Sequence, residues 1–470
     1  MKSMTSRDGL PAGPRNLLMT ARGLMGKPYG FYGELAERYG SPFTVRLPGI
    51  PPYVVFTKPA AIKELMTLGY DTAYRLNDVS GFLTGPRSIL FQEGGDHRRL
   101  RSVLSGPFHV SRVGAYGSTI LEVTDAVIDQ WQPGASIRLM DVMHEITLRV
   151  MLRCVVGASD PDQVARLEML FQRYFARMLT PQMMSVSMVV GSLRLFDILD
   201  GIAGVTRRFR SRVDDAVRVP VLEQGMLRGF IDEILYEEID RCRQGDMSER
   251  EDILARIVMA SEDVDLAQTH ALLMDFLGGG FSTTSVSLSW AMYSVLEQPE
   301  VAARIRDEVG EVFGDGPFEP RRAGELQYLT AVMRESARLH PIMAAIFRVV
   351  RNDAVIDGTP LEAGTAIGIP APLIQRSPEL YEAPDTFDPS RFLGKRPPPF
   401  AYIPFGGGPW RCLGSAFAEY EMQIVIARIL MRASLVPDYD SPLGPQMHGF
   451  LVAPSGGLAV RVANRTRARA

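Results

Sequence analysis

Apolar residues recur at helical spacing along much of the chain. Leu326, Leu329, Met333 and Ala337 share one face of a helix, and Leu413, Phe417, Tyr420, Ile424, Ala427 and Met431 share a face of another. Much of the stretch from Pro59 to His340 carries the same period. Strand patterns are few. Phe43–Leu47 and Tyr53–Phe56 flank a Pro48-Gly49 turn and predict two joined strands. Further strand-like pieces lie between Val349 and Ile369, with a turn at Asp357-Gly358. Eleven of the 33 prolines fall between Pro360 and Pro409. Proline lacks the amide hydrogen that ladders and helix interiors need, so this region is expected to be largely irregular. No repeat, low-complexity tract or Gly/Ser linker divides the chain. The pattern predicts a mainly α fold with a minor β-sheet region, built as one domain over residues 1–470. The usual ratio of length to domain number suggests about three domains instead.

Two apolar stretches reach or approach membrane length. Phe276 to Leu296 carries no charge but holds three glycines and a run of Ser and Thr, which suits a helix buried inside protein and lining a cavity. Met178 to Leu193 is shorter and methionine-rich, and reads as a mobile apolar lid or a surface membrane contact. No transmembrane span is expected. The amino terminus is polar, with Lys2, Arg7 and Asp8 and no apolar core, so it does not read as a signal peptide. The 51 basic residues nearly balance the 54 acidic ones, giving a net charge of −3, and no nucleic-acid partner is implied. Cys154, Cys242 and Cys412 are odd in number and far apart. That excludes a disulfide scaffold and a CxxC zinc site and fits a reducing, cytoplasmic setting.

Cys412 stands apart from the other two. It sits in a glycine-rich loop, Phe405 to Gly414, just before an amphipathic helix. Amides and dipole at a helix start stabilise a thiolate, and glycines let a flat ligand lie against the backbone. A nucleotide loop does not fit, since neither the third glycine of a dinucleotide loop nor a Gly-Lys-Ser/Thr follows. A buried structural cysteine in a tight turn remains the bland alternative.

Several other segments accompany this loop in order and spacing. Phe405, Gly408, Cys412 and Gly414 match the F-x-x-G-x-(R/H)-x-C-x-G haem-ligand loop of the cytochrome P450 family, which the chain resembles over essentially its whole length. Glu335 and Arg338 match that family's E-x-x-R, and Pro389 to Phe392 its P-x-R-F. Gly279 to Thr284 resembles its oxygen-groove helix, and His97 with Arg101 its haem-facing helix. The resemblance implies a cytochrome P450 fold with haem b between the oxygen-groove helix and the cysteine-loop helix. Cys412 would be the axial thiolate on iron, where it favours O–O cleavage. His97, Arg101 and Arg348 would bind the propionates, with Phe405 and Gly279 also at the cofactor. Glu335, Arg338 and Arg391 would fix the proline-rich segment. Thr283, with Ser282 and Thr284, would serve proton delivery.

Two residues depart from the family pattern. Trp410 stands where Arg or His is usual, which removes one charged anchor, and Arg411 beside it is not expected to substitute. Ser282 replaces an Asp or Glu, so it passes a proton through a hydroxyl but supplies none by ionisation. The implied function is a monooxygenase that inserts one atom of O2 into a hydrophobic organic substrate (terpenoid, polyketide or fatty-acid-like) typical of secondary metabolism. Electrons would come from an external ferredoxin or flavodoxin with its reductase, docking near Arg98 and Arg99. The substrate cavity would be lined from residues 74–90, 171–193, 274–284, 343–347 and 447–451. The alternatives are a peroxide-driven or rearrangement enzyme of the same cofactor, and a non-catalytic haem-binding protein.

Overall fold

The computed structural model describes residues 9–76, 81–158, 160–178, 180–209, 219–245, 250–260, 264–314, 316–395 and 397–466. Helices dominate, and the strands form four small sheets among the described residues, as the hydrophobic periods predict. The described residues fall into two compact units. A sheet unit comprises 1–76, 120–144 and 283–470, and a helical unit comprises 77–119 and 145–282.

The largest sheet of the first unit has five strands. Phe43–Leu47 pairs antiparallel with Ile50–Val55, which runs parallel to Ala366–Ile369; Ile346–Val350 and Ala73–Tyr74 complete the order. The second strand begins at Ile50 rather than the expected Tyr53, because Pro51 and Pro52 occupy exposed positions near its start. Period-two alternation then divides the side chains between two cores. Val54, Ile367 and Ile369 join Ile62, Leu65 and Met66 on one face. Tyr53, Val55 and Ala366 join Phe43, Val45 and Val349 on the other. The turn at Asp357-Gly358 links paired strands Ala354–Ile356 and Thr359–Leu361, and both of its residues have positive φ, 47° and 73°. That is the primed hairpin turn whose twist matches the strands.

Between Pro370 and Pro409 the described residues make only a five-residue helix, Ala371–Gln375, and two short 3-10 turns. Its anchor is the helix Gln327–Leu339. Arg338 and Glu335 are both fully buried and form a two-bond pair, Nε to Oε2 at 2.7 Å and Nη2 to Oε1 at 2.8 Å. The remaining Arg338 hydrogens go to the carbonyls of Gln375, Pro384 and Thr386. Glu335 also accepts from the Asp388 amide at 2.8 Å and from Arg391 Nε at 3.3 Å. The cysteine-loop helix, Ser415–Arg432, follows with Phe417, Tyr420 and Ile424 buried. Its far end is held by a two-bond pair from Arg428 to Asp125 and by Arg432 to Asp129 at 2.6 Å.

The helical unit packs Ser192–Phe209 against Pro220–Gln244, beside Gly94–Ser105, Pro161–Met178 and the start of the 31-residue helix Leu266–Leu296. Buried Asp232 ties three of these helices together, accepting from Arg207 Nη1 at 2.8 Å and facing His270 Nε2 at 2.9 Å. Burial works to raise the Asp232 pKa; His270 and the arginines outweigh it and hold the carboxyl below its ordinary value. The methionine-rich stretch expected as a lid is mostly helix, Pro181–Val190, with Thr180 accepting from the Met183 amide as its N-cap. Phe276 to Leu296 belongs to the 31-residue helix. No helix among the described residues is long and apolar enough to cross a membrane.

The two kinds of ion pair near the proline-rich segment differ in their surroundings. Arg338→Ala strands Glu335 without water and is expected to cost about 3–5 kcal/mol. Asp385→Ala removes a partner of Arg376 that is 77% exposed and costs at most about 1 kcal/mol. Thermal and denaturant melts of the two variants check the difference; equal losses would refute the assignment of the anchor to Arg338.

Candidate functional site

In the sheet unit, Cys412 is presented by a loop that three backbone bonds close. The Cys412 amide donates to the Phe405 carbonyl at 2.9 Å, the Gly406 amide to Ile403 at 3.0 Å, and the Arg411 amide to Gly408 at 3.2 Å. Gly408 is required twice over: its φ is +64°, and a Cβ there would stand 2.6 Å from the Met66 carbonyl oxygen. The loop therefore lies directly on the end of the helix Pro59–Thr67. Gly414 is the N-cap residue of the cysteine-loop helix, so Cys412 stands two residues before the cap, near the positive end of the helix dipole. The Cys412 thiol is exposed, whereas Cys154 and Cys242 are buried in the helical unit. Only the first has the access a ligand needs.

Beside this loop lies a cluster of cations. Arg348, on the strand Ile346–Val350, is 4% exposed and donates to the carbonyls of Phe347 at 2.7 Å and Gly407 at 3.5 Å. Its guanidinium also lies 4.7 Å from the centre of the Trp410 ring. Arg75, just after the strand Ala73–Tyr74, donates from Nη2 to the Trp410 carbonyl at 2.8 Å. Burial first, and the Arg75 charge second, push the Arg348 pKa down to about 9. A buried guanidinium bonded to carbonyls, with a second arginine nearby, favours an anion. This donor set fits carboxylates such as haem propionates. The sequence reading did not include Arg75. Trp410 brings no charge of its own, yet its carbonyl holds an arginine and its ring, edge-on to Tyr70 at 5.3 Å, supports another.

In the helical unit, His97 is 1% exposed and Arg101 half-buried, one turn apart on Gly94–Ser105. Arg98 and Arg99 are exposed on the same helix. The expected oxygen-groove residues lie mid-way along Leu266–Leu296. Gly279 is exposed and a Cβ there would meet nothing within 4 Å, so a flat group can approach the helix at that point. Thr283, four residues on, shares its face and is half-buried. Ser282 and Thr284 are buried, and the Ser282 hydroxyl donates back to the Gly278 carbonyl at 3.3 Å. Of the three hydroxyls expected to serve proton transfer, Thr283 is therefore the accessible one.

The stretches expected to line a substrate cavity occur in both units, except residues 77–80 and 179, which lie outside the described residues. In the helical unit Phe171, Phe175 and Phe281 form a chain of ring contacts at 5.8 and 4.8 Å, and Phe276 meets Phe108 at 4.9 Å. Asp275 pins the preceding loop by accepting from Ser88 Oγ at 2.6 Å and the Ile89 amide at 2.8 Å. In the sheet unit Phe347 meets Tyr53 edge-on at 5.1 Å. A further carboxyl was missed: Glu421, on the cysteine-loop helix, is fully buried with no hydrogen-bond partner for either oxygen. Burial holds its pKa well above the ordinary value. Its place one turn after Phe417 was the available clue.

Residues 9–460 match the family model for cytochrome P450. Among curated proteins, the putative cytochrome P450 135B1 of Mycobacterium tuberculosis is 31% identical, with 98% of this chain and 93% of that protein covered. The putative cytochrome P450 135A1 of the same organism is 29% identical over 98% and 97%. Among solved structures, a cyanobacterial CYP120A1 with bound retinoic acid has a TM-score of 0.78 at 21% identity, covering 97% of this chain and all of that one. The haem domain of cytochrome P450DA gives 0.79 at 20%, covering 97% and 98%. The match spans both units and includes the cysteine loop, the E-x-x-R pair and the oxygen-groove helix, so the chain belongs to the cytochrome P450 family of haem-thiolate monooxygenases.

Proposed function

We propose that this enzyme inserts one atom of O2 into a small hydrophobic substrate of terpenoid, polyketide or fatty-acid-like chemistry. The second atom leaves as water, using two electrons from a separate ferredoxin or flavodoxin with its reductase. The observation that carries the reading is the exposed Cys412 thiol at a helix start, beside two arginines suited to carboxylates. Haem on the Cys412 thiolate supplies the activation of dioxygen. Arg348 and Arg75, in the sheet unit, would hold its carboxylates, and by the family pattern His97 and Arg101 would also serve as propionate donors. Gly279 leaves the face of the long helix open, and Thr283 offers the hydroxyl that holds a proton donor in place. Ser282, turned to its own helix, has a lesser part. The Phe171, Phe175, Phe276 and Phe281 rings support an apolar substrate, and the lack of an acid at 282 places the burden of proton supply on Thr283 and ordered water. Three cysteines held as thiols support a cytoplasmic setting.

A second reading is favoured by the same residue. Without an ionisable group at 282, a peroxide-driven reaction bypasses the proton supply that O2 requires. Product formed with a redox partner under O2, compared with peroxide alone, separates the two. Product formed with peroxide and none with the redox partner under O2 would overturn the O2-dependent reading while leaving the family untouched.

Three variants test the residue assignments. The reduced, carbon-monoxide-bound wild type is expected to show a Soret band shifted to the red of that of a histidine-ligated haem, and Cys412→Ala to lose it; retention of that band would remove Cys412 as the ligand. Thr283→Ala should raise the peroxide released per electron consumed, with the carbon-monoxide spectrum unchanged. Arg75→Gln deletes one charge-assisted bond, and haem transfer from the protein to apomyoglobin should accelerate on the order of tenfold. An unchanged transfer rate would show that Arg75 does not hold the cofactor.

A further inference from the structure

One side chain reaches the long helix just before Ser282. Thr147, on the helix Leu139–Met151, is fully buried and donates its hydroxyl to the Phe281 carbonyl at 3.0 Å. Met151, one turn further along the same face, lies against Gly280, where a Cβ would stand 2.7 Å from the Met151 sulfur. The glycine thus lets the two helices approach closely, and that approach brings the Thr147 hydroxyl within reach of the main chain. In a regular helix the carbonyl of residue 281 is the acceptor for the amide of residue 285. A hydroxyl from a neighbouring helix competes for it and draws the carbonyl outward, which loosens that turn. The residues inside the turn are Ser282, Thr283 and Thr284.

We propose that Thr147 is a positioning residue: by engaging the Phe281 carbonyl it loosens the turn from Phe281 to Ser285 and sets where the Thr283 hydroxyl stands. The inference rests on the reading of Thr283 given above. Thr147 itself touches neither cofactor nor substrate. Valine has nearly the same shape as threonine but cannot donate, whereas serine keeps the hydroxyl.

The test uses the haem-loaded protein as wild type, Thr147→Val and Thr147→Ser, with the carbon-monoxide spectrum and melting temperature confirming that each is folded. Hydrogen exchange is followed in peptides covering residues 281–287, and peroxide release per electron is measured with a surrogate ferredoxin and reductase. In Thr147→Val the Phe281 carbonyl no longer accepts from the neighbouring helix, so exchange at the Ser285 amide should slow about fivefold. Peroxide release should rise toward the Thr283→Ala level, and Thr147→Ser should restore both. Unchanged exchange in Thr147→Val overturns the proposal. So does slowed exchange with unchanged peroxide release, provided Thr283→Ala does alter release. Should Thr283→Ala leave release unchanged, the reading of Thr283 fails, and slowed exchange in Thr147→Val still supports the loosened turn. A Thr147→Ser variant that behaves like valine assigns the effect to packing and sinks the proposal.

Discussion

A fully buried carboxylate and guanidinium hold the part of the chain that cannot hold itself. The segment from Pro360 to Pro409 carries too many prolines to build a ladder or a long helix, so its carbonyls need donors from elsewhere. Arg338 spends all five of its N–H groups on Glu335 and on three carbonyls, two of which lie in that segment beyond its short helix. Lysine, with three donors on one atom and no planar fork, could not do this. Glu335 in turn fixes the Asp388 amide and Arg391. The cysteine loop begins at Phe405, at the end of this segment, so the place of Cys412 depends on a charge pair distant from it in sequence.

The charge logic near Cys412 runs the other way. Arg348 is buried beside a like charge and an aromatic ring, and its lowered pKa records the cost of that arrangement. A structure optimised for stability alone would place a carboxylate there. Two cations so placed would suit a bound anion, a common division between stability and function. Trp410 illustrates how a lost charge is offset. Its indole brings no positive charge, but its carbonyl fixes Arg75 and its face supports Arg348, so the positive character of the site is retained through neighbours.

Much of the site was legible before any coordinates. The cysteine loop, the E-x-x-R pair and the Gly279–Thr283 face are local patterns, in which helix period and turn geometry fix the relation between residues a few positions apart. The turn at Asp357-Gly358 and the uncharged helix through Phe276 to Leu296 were legible for the same reason. The methionine-rich stretch was legible only as apolar; that it is mostly helix, with Thr180 as its N-cap, came from the structure.

Chain order and spacing by themselves determined the helical faces and the irregularity of the proline-rich segment, and the family resemblance they carry singled out the cysteine loop. Tertiary structure alone decided the rest. Arg75 meets the Trp410 carbonyl across 335 residues, and Thr147 meets Phe281 across 134. Nothing near Arg75 or Thr147 distinguishes them from any surface arginine or helix threonine. Burial likewise decides that the carboxyl of Glu421, polar by composition, is held well above its ordinary pKa. Local chemistry is written in spacing, but partners distant in sequence are chosen by how the two units pack internally, and that depends on the sum of many weak contacts rather than on any one motif.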